Sequence, residues 1–90
     1  MKRVLFVDDD PLILSGLRRM LRDQRQEWEM LFANSGEEAL HMLAENACDI
    51  VVSDMRMPQM DGAELLQRVR TLYPAAVRIV LSGQSDKEAI

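Results

Sequence analysis

Short apolar runs alternate with helical patterns along the whole chain. Val4, Leu5, Phe6 and Val7 form one continuous run. Ile50, Val51 and Val52 form a second, and Ile79, Val80 and Leu81 a third, with Val77 just before it. Continuous β-branched runs of this length predict parallel strands buried on both faces. The stretch from Trp28 to Ala33 is more mixed. Trp28, Met30 and Phe32 share one face at period two, which predicts an edge strand.

Helical stretches lie between these runs. Pro11 opens the first, where a missing N–H costs nothing, and Ile13, Leu14, Leu17, Met20 and Leu21 form its apolar stripe. The second starts at Ser35-Gly36-Glu37-Glu38, a capping-box pattern, and is expected to bury Ala39, Leu40 and Leu43. The third begins near Asp61, with Leu65, Leu66, Val69 and Leu72 inside, and ends before Pro74. A further capping box, Ser85-Asp86-Lys87-Glu88, predicts the start of a fourth. There is no repeat and no Pro/Gly/Ser-rich linker. The order β-α-β-α-β-α-β-(α) predicts an α/β, doubly wound parallel sheet with right-handed crossovers and helices on both faces. In such sheets the site lies beyond the carboxyl ends of the strands.

Those strand ends carry the candidate chemistry. Asp8-Asp9-Asp10 follows the first strand, Ser53-Asp54 the third, and Ser82-Gly83 the fourth. Carboxylates crowded at one end of a sheet repel one another, and a hard divalent cation is the natural compensation. Mg²⁺ takes oxygen ligands, typically one or two carboxylates plus phosphate oxygens. A hydroxyl and a loop N–H nearby suit an anion's oxygens. The constellation reads as Mg²⁺ plus a phosphoryl group.

Composition narrows the setting. The 90 residues carry 15 Asp and Glu against 11 Lys and Arg, a net charge of −4. That length predicts one domain, residues 1–90, with a thin stability margin. The acidic balance argues against a nucleic-acid surface, which needs clustered positive charge. A single cysteine, Cys48, excludes a disulfide framework and is expected as a small buried apolar group in a reducing compartment. Only four apolar residues follow Met1-Lys2-Arg3, short of a secretory core, and no run approaches a membrane span. The expected location is the cytoplasm.

Taken together, Val7-Asp8-Asp9-Asp10-Pro11, Ser53-Asp54-Met55-Arg56-Met57-Pro58-Gln59-Met60-Asp61-Gly62 and Arg78-Ile79-Val80-Leu81-Ser82-Gly83 resemble the receiver domains of two-component response regulators. The resemblance covers the whole chain. It implies a flavodoxin-like sheet of order 2-1-3-4, with the family's fifth strand and fifth helix missing. It implies that Asp54 is the phosphoacceptor, attacking the phosphorus of a phosphohistidine on a sensor histidine kinase or a histidine phosphotransfer protein. Asp9 and Asp54 would hold Mg²⁺ directly, Asp8 through water, and the Arg56 carbonyl would add a ligand. Ser82 would swing toward the phosphoryl oxygens, with the Gly83 N–H beside it. Gly83 stands where the family usually has Ala. The family's catalytic Lys has no counterpart here, since neither Lys2 nor Lys87 takes its position. Poor phosphorylation of the 90-residue chain is therefore expected.

Other residues carry two readings each. The Arg56 side chain either shields or guides attacking water, or is simply solvated. Arg18, Arg19, Arg22 and Arg25 either dock an acidic kinase or phosphotransfer partner, as the first helix does in this family, or form an ordinary charged face. His41 has no spaced metal-ligand partner and reads as a surface residue. Met57 and Met60 read as shaping the loop around Pro58, and Asp61-Gly62 as a helix start. Asp10 reads as solvated, outside the metal shell.

The first functional reading is thus a phosphorylation-dependent switch with an output domain C-terminal to it. The Leu81–Asp86 stretch resembles receivers fused to HD-type hydrolase or regulatory domains. The alternatives are a Mg²⁺-dependent phosphatase or phosphotransferase, for which no general acid volunteers, and a non-phosphorylated interaction module. With its last strand unpaired, the chain is expected to self-associate through the fourth-strand edge or the uncovered sheet face.

Overall fold

The structure, a computed structural model, describes residues 1–81. The predicted fourth helix at Ser85, together with Ser82, Gly83 and Lys87, lies outside the described residues. The elements are β1 (Lys2–Val7), α1 (Pro11–Met20), a 3-10 turn (Arg22–Gln26), β2 (Trp28–Ala33), α2 (Gly36–Glu45), β3 (Ile50–Asp54), α3 (Gly62–Leu72) and β4 (Val77–Leu81). The four strands are parallel in the order β2-β1-β3-β4, as the alternation of runs and helices predicts. No helix among the described residues is long and apolar enough to cross a membrane.

Each helix starts where its sequence says. The Asp10 carboxylate accepts the Leu12 N–H at 2.9 Å and Pro11 follows as the first helical residue. Ser35 Oγ accepts the Glu38 N–H at 3.0 Å, while the Glu38 carboxylate reaches back to the Asn34 N–H at 2.6 Å. Asp61 accepts the Glu64 N–H at 2.8 Å. Each such cap satisfies a donor that the helix itself cannot.

Alternation along β1 divides the core between two faces. Leu5 and Val7 point to one side with Ala33 and Val51, and meet Ala39 and Leu43 of α2 and Leu65 and Val69 of α3. Val4 and Phe6 point to the other with Val52, and meet Leu14 of α1. Trp28, Met30 and Phe32 pack half-buried on this second face, in keeping with an edge strand. Cys48 packs half-buried against the larger cluster, its Sγ 3.4 Å from the Asn46 carbonyl, and His41 is exposed.

Three expectations need correcting. β4 is not buried on both faces: Val77, Ile79 and Val80 are 55, 44 and 43 % exposed. It is the outer strand of the described sheet, and its apolar run meets a neighbour only on the β3 side. Ile13 and Met20 do not join the stripe of α1; both are exposed. Leu14, Leu17 and Leu21 face the sheet, and at about 100° per residue Ile13 and Met20 fall together on one flank. Leu72, in the last turn of α3, is likewise exposed, so of that helix's predicted apolar positions Leu65 and Val69 are fully buried and Leu66 in part.

Candidate functional site

Parallel pairing sets the ends of β1 and β3 side by side. Val7 is in register with Ser53, so the chain leaves β1 at Asp8 just where β3 ends at Asp54. Carboxylate oxygens of Asp8, Asp9 and Asp54 lie within 4.8 Å of one another. These are the three carboxylates the sequence singles out, Asp8 and Asp54 set side by side by strand register and Asp9 added by the connection to α1. Asp10 stays out of the cluster; it is exposed and occupied as the cap of α1.

The three differ in setting. Asp8 is buried, at 6 % exposure, while Asp54 is half-buried and Asp9 exposed. Asp8 is tied at both ends: its N–H donates to the Ala33 carbonyl at 3.1 Å, and its Oδ1 accepts the Asp10 N–H at 2.9 Å. Burial pushes the Asp8 carboxyl above the ordinary aspartate range, and the Asp10 N–H opposes this. The charges of Asp54, Asp9 and Asp10 add to the upward push. A partly desolvated carboxylate facing two like charges is a group that gains from a cation. Three hard oxygen donors converging at one point fit Mg²⁺.

The Asp54 main chain is held from below. Buried Ser53 donates its hydroxyl to the Asp54 carbonyl at 2.9 Å. The loop after β3 is closed by Gly62, whose N–H donates to the Met55 carbonyl at 3.0 Å. A β-carbon on Gly62 would overlap the Asp54 carbonyl and come within 2.7 Å of the Met55 Cα. Gly62 is therefore more than a helix start: only a residue without a side chain lets α3 press against the backbone of Asp54.

Met57 is buried in the larger cluster, and Met60 packs on Gly36 at the start of α2, its Sδ lying 2.7 Å from where a β-carbon there would sit. The two methionines thus fix the loop, as expected, but through the core and α2 rather than through Pro58 itself. Between them, Gln59 takes a left-handed backbone conformation with φ of 67°. Arg56 follows Asp54 by two residues with an exposed side chain. Leu81 is in register with Asp54 across β3 and β4. Ser82 and Gly83 come next in the sequence and lie outside the described residues.

Comparison with known proteins agrees with this geometry. The profile of the response regulator receiver domain matches residues 4–90. The chain is 39 % identical over 87 residues to the hydrogenase transcriptional regulatory protein HoxA of Cupriavidus necator, covering 97 % of this chain and 17 % of that protein. Among solved structures, the signal receiver domain of an HD domain-containing protein from Pseudomonas fluorescens Pf-5 superposes with a TM-score of 0.86 at 36 % identity, covering 91 % of this chain and 64 % of that one. A chain in the complex of histidine kinase ThkA with response regulator protein TrrA matches at 0.80 and 36 %, covering 92 % of this chain and 70 % of that one. With the 2-1-3-4 parallel sheet and the acidic strand ends, these matches establish that the chain belongs to the response regulator receiver domain family.

Proposed function

We propose that the chain is a phosphorylation-dependent signalling switch whose phosphoacceptor is Asp54. The observation that carries this reading is the convergence of Asp8, Asp9 and Asp54 within 4.8 Å at the carboxyl end of the sheet. An Asp54 carboxylate oxygen attacks the phosphorus of a phosphohistidine. The new O–P bond forms as the P–N bond breaks, and the imidazole nitrogen keeps the electron pair. The donor is a sensor histidine kinase or a histidine phosphotransfer protein; the kinase–regulator complex that this chain resembles supports that class of partner.

Asp8, Asp9, Asp54 and the Arg56 carbonyl would hold Mg²⁺, which when bound neutralises charge on the transferring phosphoryl. The protein's own part is positioning. Gly62 and Ser53 immobilise the Asp54 main chain, and the Asp10 N–H orients Asp8. Ser82 and Gly83 follow Leu81, the register partner of Asp54, and we assign them to the phosphoryl oxygens. Asp54 is modified and later released, so the chain is a switch rather than a turnover enzyme. Phosphorylation would shift a two-state equilibrium that an output module reads. Its named relatives carry different outputs, a transcriptional regulator and an HD-domain protein, and both are longer than this chain. A cytoplasmic setting fits this role.

The test is incubation with acetyl phosphate and Mg²⁺, followed by peptide-level mass spectrometry, which registers a low yield. A phosphoryl group on the Asp54 peptide is expected, absent with chelator and absent in Asp54→Asn. A label that persists in Asp54→Asn overturns the assignment. The exposed Val77, Ile79 and Val80 favour a second reading for the isolated chain, self-association through β4. Sedimentation that shows only monomer at high concentration contradicts it.

A further inference from the structure

A second charge cluster lies away from the carboxylates. Arg18, Arg19, Arg22 and Arg25 fall within eight residues of a chain whose net charge is −4. The ion pairs Arg3–Glu29 and Arg68–Glu64 involve none of them. With Ser15 they line a shallow depression of about 250 Å³ at the end of α1 and the turn after it. Arg18 and Arg25 also border a groove of about 380 Å³, floored by Trp28, Met30 and Phe32 of β2 and edged by Glu29.

The groove is built as well as charged. The Arg18 guanidinium lies over the Phe32 ring, 4.3 Å from its centroid, and Phe32 in turn stacks on Phe6 at 5.4 Å. That stack holds Arg18 while its in-plane N–H donors stay available. The one carboxylate in the groove, Glu29, is already bound by Arg3 at 3.1 Å. Among the described residues, Arg18 and Arg25 therefore have no internal anion to answer. Trp28 opens β2 and pairs with Lys2, at the amino ends of the strands, so the groove runs toward the end of the sheet opposite Asp54. β2 is the outer strand on that side.

We propose that this groove docks an extended acidic protein segment, with carboxylates on Arg18 and Arg25 and apolar side chains on Trp28 and Met30. Planar guanidinium forks match carboxylates, and the half-buried apolar floor suits side chains that a nucleic-acid backbone lacks. A long polyanion would also meet the carboxylates of a chain that carries 15 of them against 11 Lys and Arg. A short acidic segment meets only the groove. The inference does not rest on the assignment of Asp54.

Trp28 is the only tryptophan, so its fluorescence reports the groove directly. The probe is a synthetic peptide alternating glutamate with leucine and phenylalanine, titrated into the full chain. A saturable change in Trp28 emission is expected, weakened about tenfold in R18A/R25A and about as much by raising salt to ~0.5 M. R18K/R25K keeps the charge and should retain part of the affinity, while the charge-matched control R68A/R70A on α3 should bind as wild type. The same peptide with lysine for glutamate should not bind. No saturable change, an unchanged affinity in R18A/R25A of native circular dichroism, or tighter binding of a single-stranded oligonucleotide of equal charge would overturn the proposal. Failure here leaves Asp54 chemistry untouched, because acetyl phosphate labelling does not use the groove.

Discussion

The acidic strand ends and the arginine groove are both clusters of like charge, yet they are built differently. At the carboxyl end, strand register forces Asp8 beside Asp54, and Asp8 is buried there with its oxygen fixed by the Asp10 N–H. Desolvation, and after it repulsion, are locked into the fold and raise the Asp8 pKa. Along α1 and the turn that follows, Arg18, Arg19, Arg22 and Arg25 are exposed, and only Arg18 is held in place, by its stack on Phe32. They project a field at little cost. The difference separates a cluster whose built-in repulsion a cation would relieve from a surface that merely favours anions.

That contrast can be broken first at its foundation. Gly62→Ala drives a β-carbon into the Asp54 carbonyl, so stability should fall by about 1–3 kcal/mol, with Mg²⁺ binding weakened as well. Chemical denaturation without and with Mg²⁺ measures both. Gly16→Ala is the matched control: no atom lies within 4 Å of the added carbon there, and stability should hold or rise.

Asp8→Asn sharpens the comparison next. A carboxyl whose pKa is higher folded than unfolded favours folding only while protonated. Stability contributed by Asp8 is therefore lost as pH rises from the ordinary aspartate value of 3.8 through its raised folded value. Asp8→Asn lacks that loss. Without Mg²⁺ it should melt above wild type at pH 7, with the gap closing on acidification. Added Mg²⁺ should raise the wild-type melting temperature and leave the variant nearly unmoved.

The arginines should show the smallest stability effects. Arg18→Ala loses its stack on Phe32, about 0.5–1 kcal/mol, while Arg22→Ala stays within about 0.5 kcal/mol of wild type. Both effects are read from urea midpoints. A large loss in Arg22→Ala would mean that the cluster is structural and that the contrast drawn here fails.

Much of this was legible in the sequence, for a physical reason. Continuous runs such as Val4–Val7 specify strands covered on both sides, and the residue after each strand is placed by topology, so Asp8, Asp9 and Asp54 could be grouped before any geometry. The capping residues Asp10, Ser35 and Asp61 act locally, and local rules found Ser35 and Asp61. What escaped depends on distant neighbours. The run at Val77–Leu81 looks like that of β1, but its burial is decided by what lies beside it. Gly62 against Asp54, Met60 against Gly36, and Arg18 over Phe32 are contacts between elements, which no spacing encodes.

Titration calorimetry with Mg²⁺ tests the central claim, that Asp8, Asp9 and Asp54 form one cation site. Wild type should bind a single ion, with Asp9→Asn and Asp54→Asn each losing at least about tenfold in affinity, a change of roughly 1.4 kcal/mol. Equal binding in wild type and in both variants, or no binding by wild type at millimolar Mg²⁺, would contradict the account.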